Sequence, residues 1–222
     1  MNKLKVKNKI CAVIPFYNEE KTINEIINRT IQYVDKIIAV NDGSTDNSKQ
    51  KINDIQNIVV IDLEKNYGKG FALNKGFEKA LALEYDTVVT LDSDLQHDPD
   101  FIPELLKEIE TYDIVIGNRM NNLSAMPFQR RMSNKITSFL LSVKTGQKIP
   151  DSQNGFRAIR SDVLKIVKTR NHGYEAESEQ IILAARNGFK IGFVNTSTVY
   201  GSEKSKIRPI KAIIGFIRTL FS

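Results

Sequence analysis

Hydrophobic residues along this chain come in two textures, short solid runs and longer periodic stripes. Residues 9–14, 36–40, 58–63, 87–91 and 113–117 are solid runs rich in Val, Ile and Leu. Runs of that length without polar alternation predict strands buried on both faces. Between them, Ile23, Ile26, Ile27, Ile31 and Val34 recur at the helical period, on a helix expected to open at Asn18-Glu19-Glu20. Pro15 is expected to close the first strand. A polar helix is expected to run to about residue 55. A second striped helix carries Leu73, Phe77, Ala80 and Leu81, and another follows Asp98-Pro99 to about residue 110.

Strands and helices thus alternate with short connections through the first half. That predicts an α/β fold with a mostly parallel central sheet flanked by helices on both faces. The second half is less regular. It predicts a helix over 128–143, a short strand over 155–159, helices over 161–167 and 175–187, and one or two short strands within 189–200. No linker or repeat interrupts it, so residues 1–205 are expected to form one domain. In 206–222 the residues Ile207, Ile210, Ile213, Ile214, Ile217, Leu220 and Phe221 share one helical stripe, with Lys206, Arg208, Lys211 and Arg218 off it. Such a basic amphipathic helix either lies in a membrane interface or packs on the domain.

Composition narrows the class. The chain has 222 residues, 41% of them hydrophobic, enough for a sizeable core. Its 32 basic and 26 acidic residues leave a net charge of +6 without a block of like charge. That suits an anionic substrate or an anionic membrane surface and gives no reason to expect nucleic acid. The single cysteine, Cys11, sits inside an apolar run, so it reads as a core residue in a reducing cytosol. No apolar run approaches the ~20 residues that span a bilayer, and the one after the basic start is too short for a signal peptide. His97 and His172 have no neighbouring Cys or His, which argues against zinc.

The candidate chemistry lies where predicted strands end. Pro15 to Glu19, Asn41 to Asp46, and Asp92-Ser93-Asp94 are polar clusters at three carboxyl strand ends. In an open α/β sheet that edge is where ligands bind. In an extended chain Asp92, Asp94 and Gln96 would share one face, presenting three hard oxygen ligands suited to Mg²⁺ or Mn²⁺ on a substrate's phosphates. The same Asp-Ser-Asp could instead merely end a strand in a turn. The loop Asn66-Tyr67-Gly68-Lys69-Gly70 adds glycines, a lysine and a helix start, a combination that favours anions. The P-loop and the dinucleotide-binding glycine pattern are both absent.

Together the stretches Val13 to Glu20, Asn41 to Asp46, Asn66 to Gly70, Asp92 to His97, Gly117-Asn118-Arg119 and Gly155-Phe156-Arg157 resemble the ordered motifs of family 2 inverting glycosyltransferases of the GT-A fold. The branch they are most similar to is that of the dolichyl-phosphate mannose synthase-like, polyprenyl-phosphate glycosyltransferases. The resemblance covers about residues 9–207. It implies that Pro15, Tyr17, Glu19 and Asp42 hold the base and ribose of a nucleotide-sugar, with Lys69 and Ser93 beside them. It also implies that Asp92, Asp94 and Gln96 hold a divalent ion, Mg or Mn, on the diphosphate. The chain departs from the family at Asn41, where a first Asp is usual, and at Gly192 to Asn195, where Glu-Val-Pro is usual.

A leaving nucleoside diphosphate develops negative charge that a metal stabilises. A lipid-phosphate acceptor is already anionic and needs cations to hold it. Arg119, Arg130, Arg131 and Lys206 are the candidates. A sugar hydroxyl acceptor would need a general base, for which Asp151 is first choice and Glu175, Glu177 and Glu179 follow. With Asp94, Arg119 and Asp151 as the catalytic set, the expectation is a metal-dependent enzyme moving a hexose from a GDP- or UDP-linked sugar to a polyprenyl or dolichyl phosphate. It would act as a peripheral protein at the cytoplasmic face of the cell membrane. The alternatives are transfer to a glycan or lipid-linked sugar hydroxyl, and a non-catalytic nucleotide-sugar-binding module.

Overall fold

The computed structural model describes residues 8–52, 55–120 and 128–197. The expected C-terminal helix over 206–222, and Lys206 with it, lies outside the described residues. Seven strands form one sheet: β1 (Ile10–Phe16), β2 (Lys36–Asn41), β3 (Ile58–Asp62), β4 (Thr87–Thr90), β5 (Ile114–Asn118), β6 (Arg157–Arg160) and β7 (Ile191–Asn195). The order across the sheet is β3-β2-β1-β4-β6-β5-β7. All pairings are parallel except those of β6, which runs against both β4 and β5. Among the described residues six α-helices accompany them: α1 (Ile23–Thr30), α2 (Lys69–Ala82), α3 (Ile102–Glu108), α4 (Phe128–Thr145), α5 (Ser161–Ile166) and α6 (Glu175–Arg186).

The solid runs are solid because both sides of the sheet are covered. Val13, Ile38 and Val88 face a core completed by Ala72, Phe77, Val163 and Ile181 from α2, α5 and α6. Their neighbours Ile14, Ala39 and Val89 face the opposite core, completed by Ile26, Ile27, Ile102 and Leu105 from α1 and α3. Cys11 is fully buried in β1, and burial, with Asp35 nearby, pushes its thiol pKa up to about 12.

Several expected boundaries moved, each for a local reason. Pro15 does not close β1; the strand continues to Phe16, and Pro15 pairs with Val40. The carbonyl of Phe16 points towards β2 and that of Val13 towards β4. Strand alternation therefore turns Pro15 towards β4, whose ladder with β1 ends at Thr90, so the missing N–H costs no sheet bond. The helix expected from Asn18 starts at Ile23, because Asn18 lies at φ 54° and the amides of residues 18–20 bond to side chains of the next loop. The polar helix expected up to residue 55 is a single 3₁₀ turn, Gln50–Ile52. The side chains of Asn41, Asn18 and Asp46 accept from the backbone amides of Ser44, Thr45 and Ser48, which a helix would need. The helix after Asp98 begins as a 3₁₀ turn, Pro99–Phe101, capped by the Asp98 carboxylate on the Asp100 amide.

β1 is the switch point. The chain winds from β1 out to β3, then returns to lay β4 on the other side. The carboxyl ends of β1, β2, β4 and β5 open on one edge, and the loop leading into β6 reaches that edge from the opposite direction. There Thr90 Oγ1 donates to the Gly155 carbonyl at 2.6 Å.

Candidate active site

The loops after β1 and β2 interlock. Asn18 N–H donates to Ser44 Oγ at 3.0 Å, Glu19 N–H to Ser48 Oγ at 2.7 Å, and Thr45 N–H to Asn18 Oδ1 at 2.8 Å. Tyr17 and Glu19 sit half-buried at this edge, whereas Pro15 is buried in the strand. Asp42 is buried too, and its two oxygens accept from the amides of Tyr67 and Gly68 at 2.8 and 2.9 Å. Burial raises its pKa while those two bonds oppose the rise. Asp42 therefore fastens the glycine-lysine loop to the end of β2.

That loop differs from the expectation of an open anion site at the start of α2. The His172 carbonyl accepts from Gly70 N–H at 2.7 Å and from Phe71 N–H at 3.3 Å, so the helix start is capped by the chain's own backbone. The glycines make room for it. A Cβ on Gly68 would lie 2.4 Å from the His172 oxygen, and one on Gly70 would lie 2.6 Å from Ala176 Cβ. The capping segment is held in turn by Glu179, whose Oε2 accepts from the Arg170 and Asn171 amides, both at 2.9 Å.

Lys69 is what the loop delivers to the cleft. Its Nζ lies 2.5 Å from Asp92 Oδ1 and 2.9 Å from Glu177 Oε1, below the ring of Tyr174. Burial works against the ammonium charge, but the two carboxylates outweigh it and hold the lysine pKa above its ordinary value. Burial likewise would raise Asp92; Lys69 reverses that and keeps the carboxyl below the usual range. Sequence reasoning ranked Glu177 low, and this contact spans 108 positions, which no local pattern reports.

Asp92 and Asp94 do not lie on an extended strand. β4 stops at Thr90, Leu95 takes φ 62°, and Asp94 Oδ1 accepts from Gln96 N–H at 3.0 Å. The expected common face of Asp92, Asp94 and Gln96 is therefore absent, and it is the backbone of Gln96 that engages Asp94. Among the described residues no three His, Cys, Asp or Glu side chains are grouped to hold a metal. What the turn offers is two half-buried carboxylates at the mouth of the crevice, with Ser93 buried between them. Two hard oxygen donors fit Mg²⁺ or Mn²⁺, which take the rest of their shell from water and substrate phosphates. His97 shapes this turn: its Nδ1 accepts from Asp92 N–H at 3.0 Å and its ring stacks on Phe156. Burial lowers its pKa to about 4, so the imidazole is neutral with its proton on Nε2.

The last cluster corrects a sequence-based assignment. Asp151, first choice as general base, is fully buried. It accepts from Arg119 Nε at 2.8 Å, Arg119 Nη2 at 2.9 Å, Arg119 N–H at 3.0 Å and Asn134 Nδ2 at 2.8 Å. Burial is opposed by these donors, which bring its pKa below the ordinary value. Its oxygens are taken up in fixing the Arg119 guanidinium at the end of β5. Arg130 and Arg131 lie half-buried in the first turn of α4. Arg157, from the Gly-Phe-Arg motif, is fully buried and donates to the carbonyls of Asn154, Glu177 and Ser152 and to Gln180 Oε1. It ties the loop before β6 to α6, and only its position inside an apolar run hinted at burial.

The family described as Glycosyl transferase family 2 matches residues 11–167. The chain belongs to this family. It is 36% identical over 231 residues to a UDP-N-acetylglucosamine--dolichyl-phosphate N-acetylglucosaminyltransferase of Methanococcus voltae, covering 93% of this chain and 92% of that one. It is 32% identical to an undecaprenyl-phosphate 4-deoxy-4-formamido-L-arabinose transferase of Proteus mirabilis, across 89% of this chain and 63% of that longer protein. Among solved structures, glucosyl-3-phosphoglycerate synthase of Mycobacterium tuberculosis with Mn²⁺, UDP and phosphoglyceric acid superposes with a TM-score of 0.74 at 22% identity, over 98% of this chain and 77% of that one. The same enzyme has also been crystallised with Mg²⁺ and UDP. The GT-A expectation holds, and the named relatives are polyprenyl-phosphate glycosyltransferases, as the motifs implied.

Proposed function

We propose that this family 2 glycosyltransferase moves a sugar from a UDP-linked donor to a polyprenyl phosphate. One observation carries the choice of acceptor: three of the four carboxylates that the sequence offers as a base are engaged elsewhere. Asp151 is buried on Arg119, Glu177 is paired with Lys69, and Glu179 holds the 170–171 backbone. A sugar hydroxyl would need a proton acceptor; a lipid phosphate brings its own negative charge. The M. voltae relative, matched over nearly the whole of both chains, is named for a UDP-sugar and a dolichyl phosphate, which supports both halves of the reading.

In this reading an acceptor phosphate oxygen attacks the anomeric carbon, the bond from that carbon to the diphosphate oxygen breaks, and the nucleoside diphosphate departs with the electron pair. A divalent ion, when bound, neutralises charge on the leaving diphosphate. Asp92 and Asp94 would hold it. Lys69 acts through Asp92, fixing its carboxylate between burial and charge. Tyr17 and Glu19 bracket the nucleotide, while Asp42 keeps the Lys69 loop in place. Arg119, its plane set by Asp151, is read as the acceptor-phosphate cation, with Arg130 and Arg131 behind it. Among the described residues no helix is long and apolar enough to cross a membrane. A lipid acceptor therefore implies work at a membrane surface, and a UDP-sugar implies its inner face.

The test is thermal shift with UDP and GDP, each with and without Mn²⁺, followed by nucleotide release on polyprenyl phosphate and on a sugar alcohol. UDP with Mn²⁺ should stabilise the protein most, and release should require the phosphate acceptor. Release driven equally well by the sugar alcohol would overturn the acceptor assignment.

A further inference from the structure

Helix α4 is amphipathic in the opposite sense to a helix packed on a sheet. Its buried face is largely polar: Asn134 bonds Asp151, and Ser138 bonds Asn134 and Ser152. Its outward face is apolar. Phe128, Met132, Ile136, Phe139, Leu140 and Val143 are 73%, 41%, 54%, 68%, 37% and 69% exposed. At the helical turn angle these six fall within an arc of about 120°, with no polar residue exposed inside it except Gln129. Arg131 and Lys135 border one edge of the arc and Lys144 the other.

The charge around this face is one-sided. Residues 114–150 contain no Asp or Glu and six cations: Arg119, Arg130, Arg131, Lys135, Lys144 and Lys148. That equals the whole net charge of +6, so the 26 remaining cations balance the 26 carboxylates of the chain. A broad apolar stripe whose charged neighbours on its own helix are all cations matches the headgroup and upper acyl region of an anionic bilayer. A second copy is a poorer fit, since a two-fold interface would set this cationic rim against itself. Residues 206–222 carry Lys206, Arg208, Lys211 and Arg218 and would meet the same repulsion.

We propose that the outward face of α4 lies in the surface of an anionic lipid bilayer and holds the acceptor site against it. This rests on the acceptor reading above for its purpose, though not for its test. Because Asn134 on the buried face bonds the carboxylate that clamps Arg119, the lipid-facing stripe and the phosphate cation are parts of one rigid unit. A helix is ~10 Å across, so a lipid phosphate at the bilayer surface would sit within reach of Arg119.

The experiment is vesicle flotation of the full chain on phosphatidylcholine, with and without phosphatidylglycerol and without any polyprenyl phosphate. Wild type should float with anionic vesicles and release with rising salt. Phe139→Glu with Val143→Glu should reduce flotation at least tenfold while the unfolding midpoint stays or rises. Lys107→Glu, an exposed position on α3 with the same change in net charge, should stay within twofold of wild type. If the double glutamate variant fails to fold, Phe139→Ser with Val143→Ser should show the same loss. Wild-type protein that ignores anionic vesicles overturns the proposal. So does a double variant that floats like wild type. A lowered midpoint with flotation intact would mean that the chain itself covers the face. A wild-type dimer that the variant converts to monomer, read by light scattering, would assign the face to a second copy. Flotation lost as expected, with no sugar transferred to polyprenyl phosphate by wild type, would sink the acceptor reading and leave the docking standing.

Discussion

The two sides of the crevice that we read as its donor side and its acceptor side are held together by different forces. Around β1 and β2 the loops are joined by short bonds between small polar side chains and neighbouring amides, such as Asn18 with Ser44 and Thr45. Around β5 and β6 the joints are buried charges: Arg119 on Asp151, and Arg157 on three carbonyls and Gln180. Bonds of the first kind contribute roughly 1 kcal/mol each and can be lost singly. A buried charge whose partner is removed costs about 3–5 kcal/mol, because the remaining charge has no water to turn to. The donor side can therefore tolerate substitution at its reacting residues, whereas the acceptor side is fused to the stability of the fold.

Substitutions can break or sharpen that contrast. Asp94→Ala should lower nucleotide release roughly a thousandfold, the scale of losing several kcal/mol of charge stabilisation, while leaving the unfolding midpoint nearly unchanged. Steady-state kinetics beside a thermal melt would decide it, and a large drop in midpoint would contradict the contrast. Asp151→Asn should do the reverse in kind, destabilising the fold by about 3–4 kcal/mol as read by urea unfolding. If it unfolds no earlier than wild type, the acceptor side is not held by charge.

Third in size is a pH effect at the turn between the two sides. His97 has its pKa lowered from 6.5 to about 4, so from pH 6.5 downward the unfolded chain binds a proton that the folded one refuses. Stability is then full above pH 6.5 and declines as pH falls towards 4, by on the order of 3 kcal/mol from this group. Urea unfolding in chelator-containing buffer at several pH values should show the slope, and His97→Gln should flatten it. The smallest effect should come from Asp42→Asn, which keeps one acceptor for the Tyr67 and Gly68 amides and should cost about 1 kcal/mol. A loss equal to that of Asp151→Asn would erase the difference between the two sides.

Legibility in the sequence follows the same division. β1 to β5 were readable because strands buried on both faces must be solid apolar runs, and the carboxyl-end clusters follow once such strands are parallel. Helix starts were not, since Asn18 and the Ser44 to Ser48 loop satisfy each other's amides across 26 to 29 positions. The Asp-Ser-Asp turn was located but misread in shape, because nothing local announces that Leu95 takes a positive φ. Asp151 and Glu177 were seen as acids with free chemistry. Their partners, Arg119 and Lys69, lie 32 and 108 positions away, beyond any periodicity. α4 was recognised as a helix, yet its stripe was not read as outward-facing. An apolar face at helical spacing says nothing about which side it turns to until the polar side finds Asp151.

One feature of β1 has a kinetic consequence. Cys11 is the chain's only thiol, sits in a strand hydrogen-bonded on both sides, and has its pKa pushed up to about 12 by burial. At neutral pH it is neither ionised nor reachable, so alkylating reagents find it only when the sheet parts between β2 and β4. The rate of its modification is thus a clock for the opening of the sheet's centre. Run with and without a nucleotide, that clock reports how strongly a ligand at the crevice closes the strands beneath it.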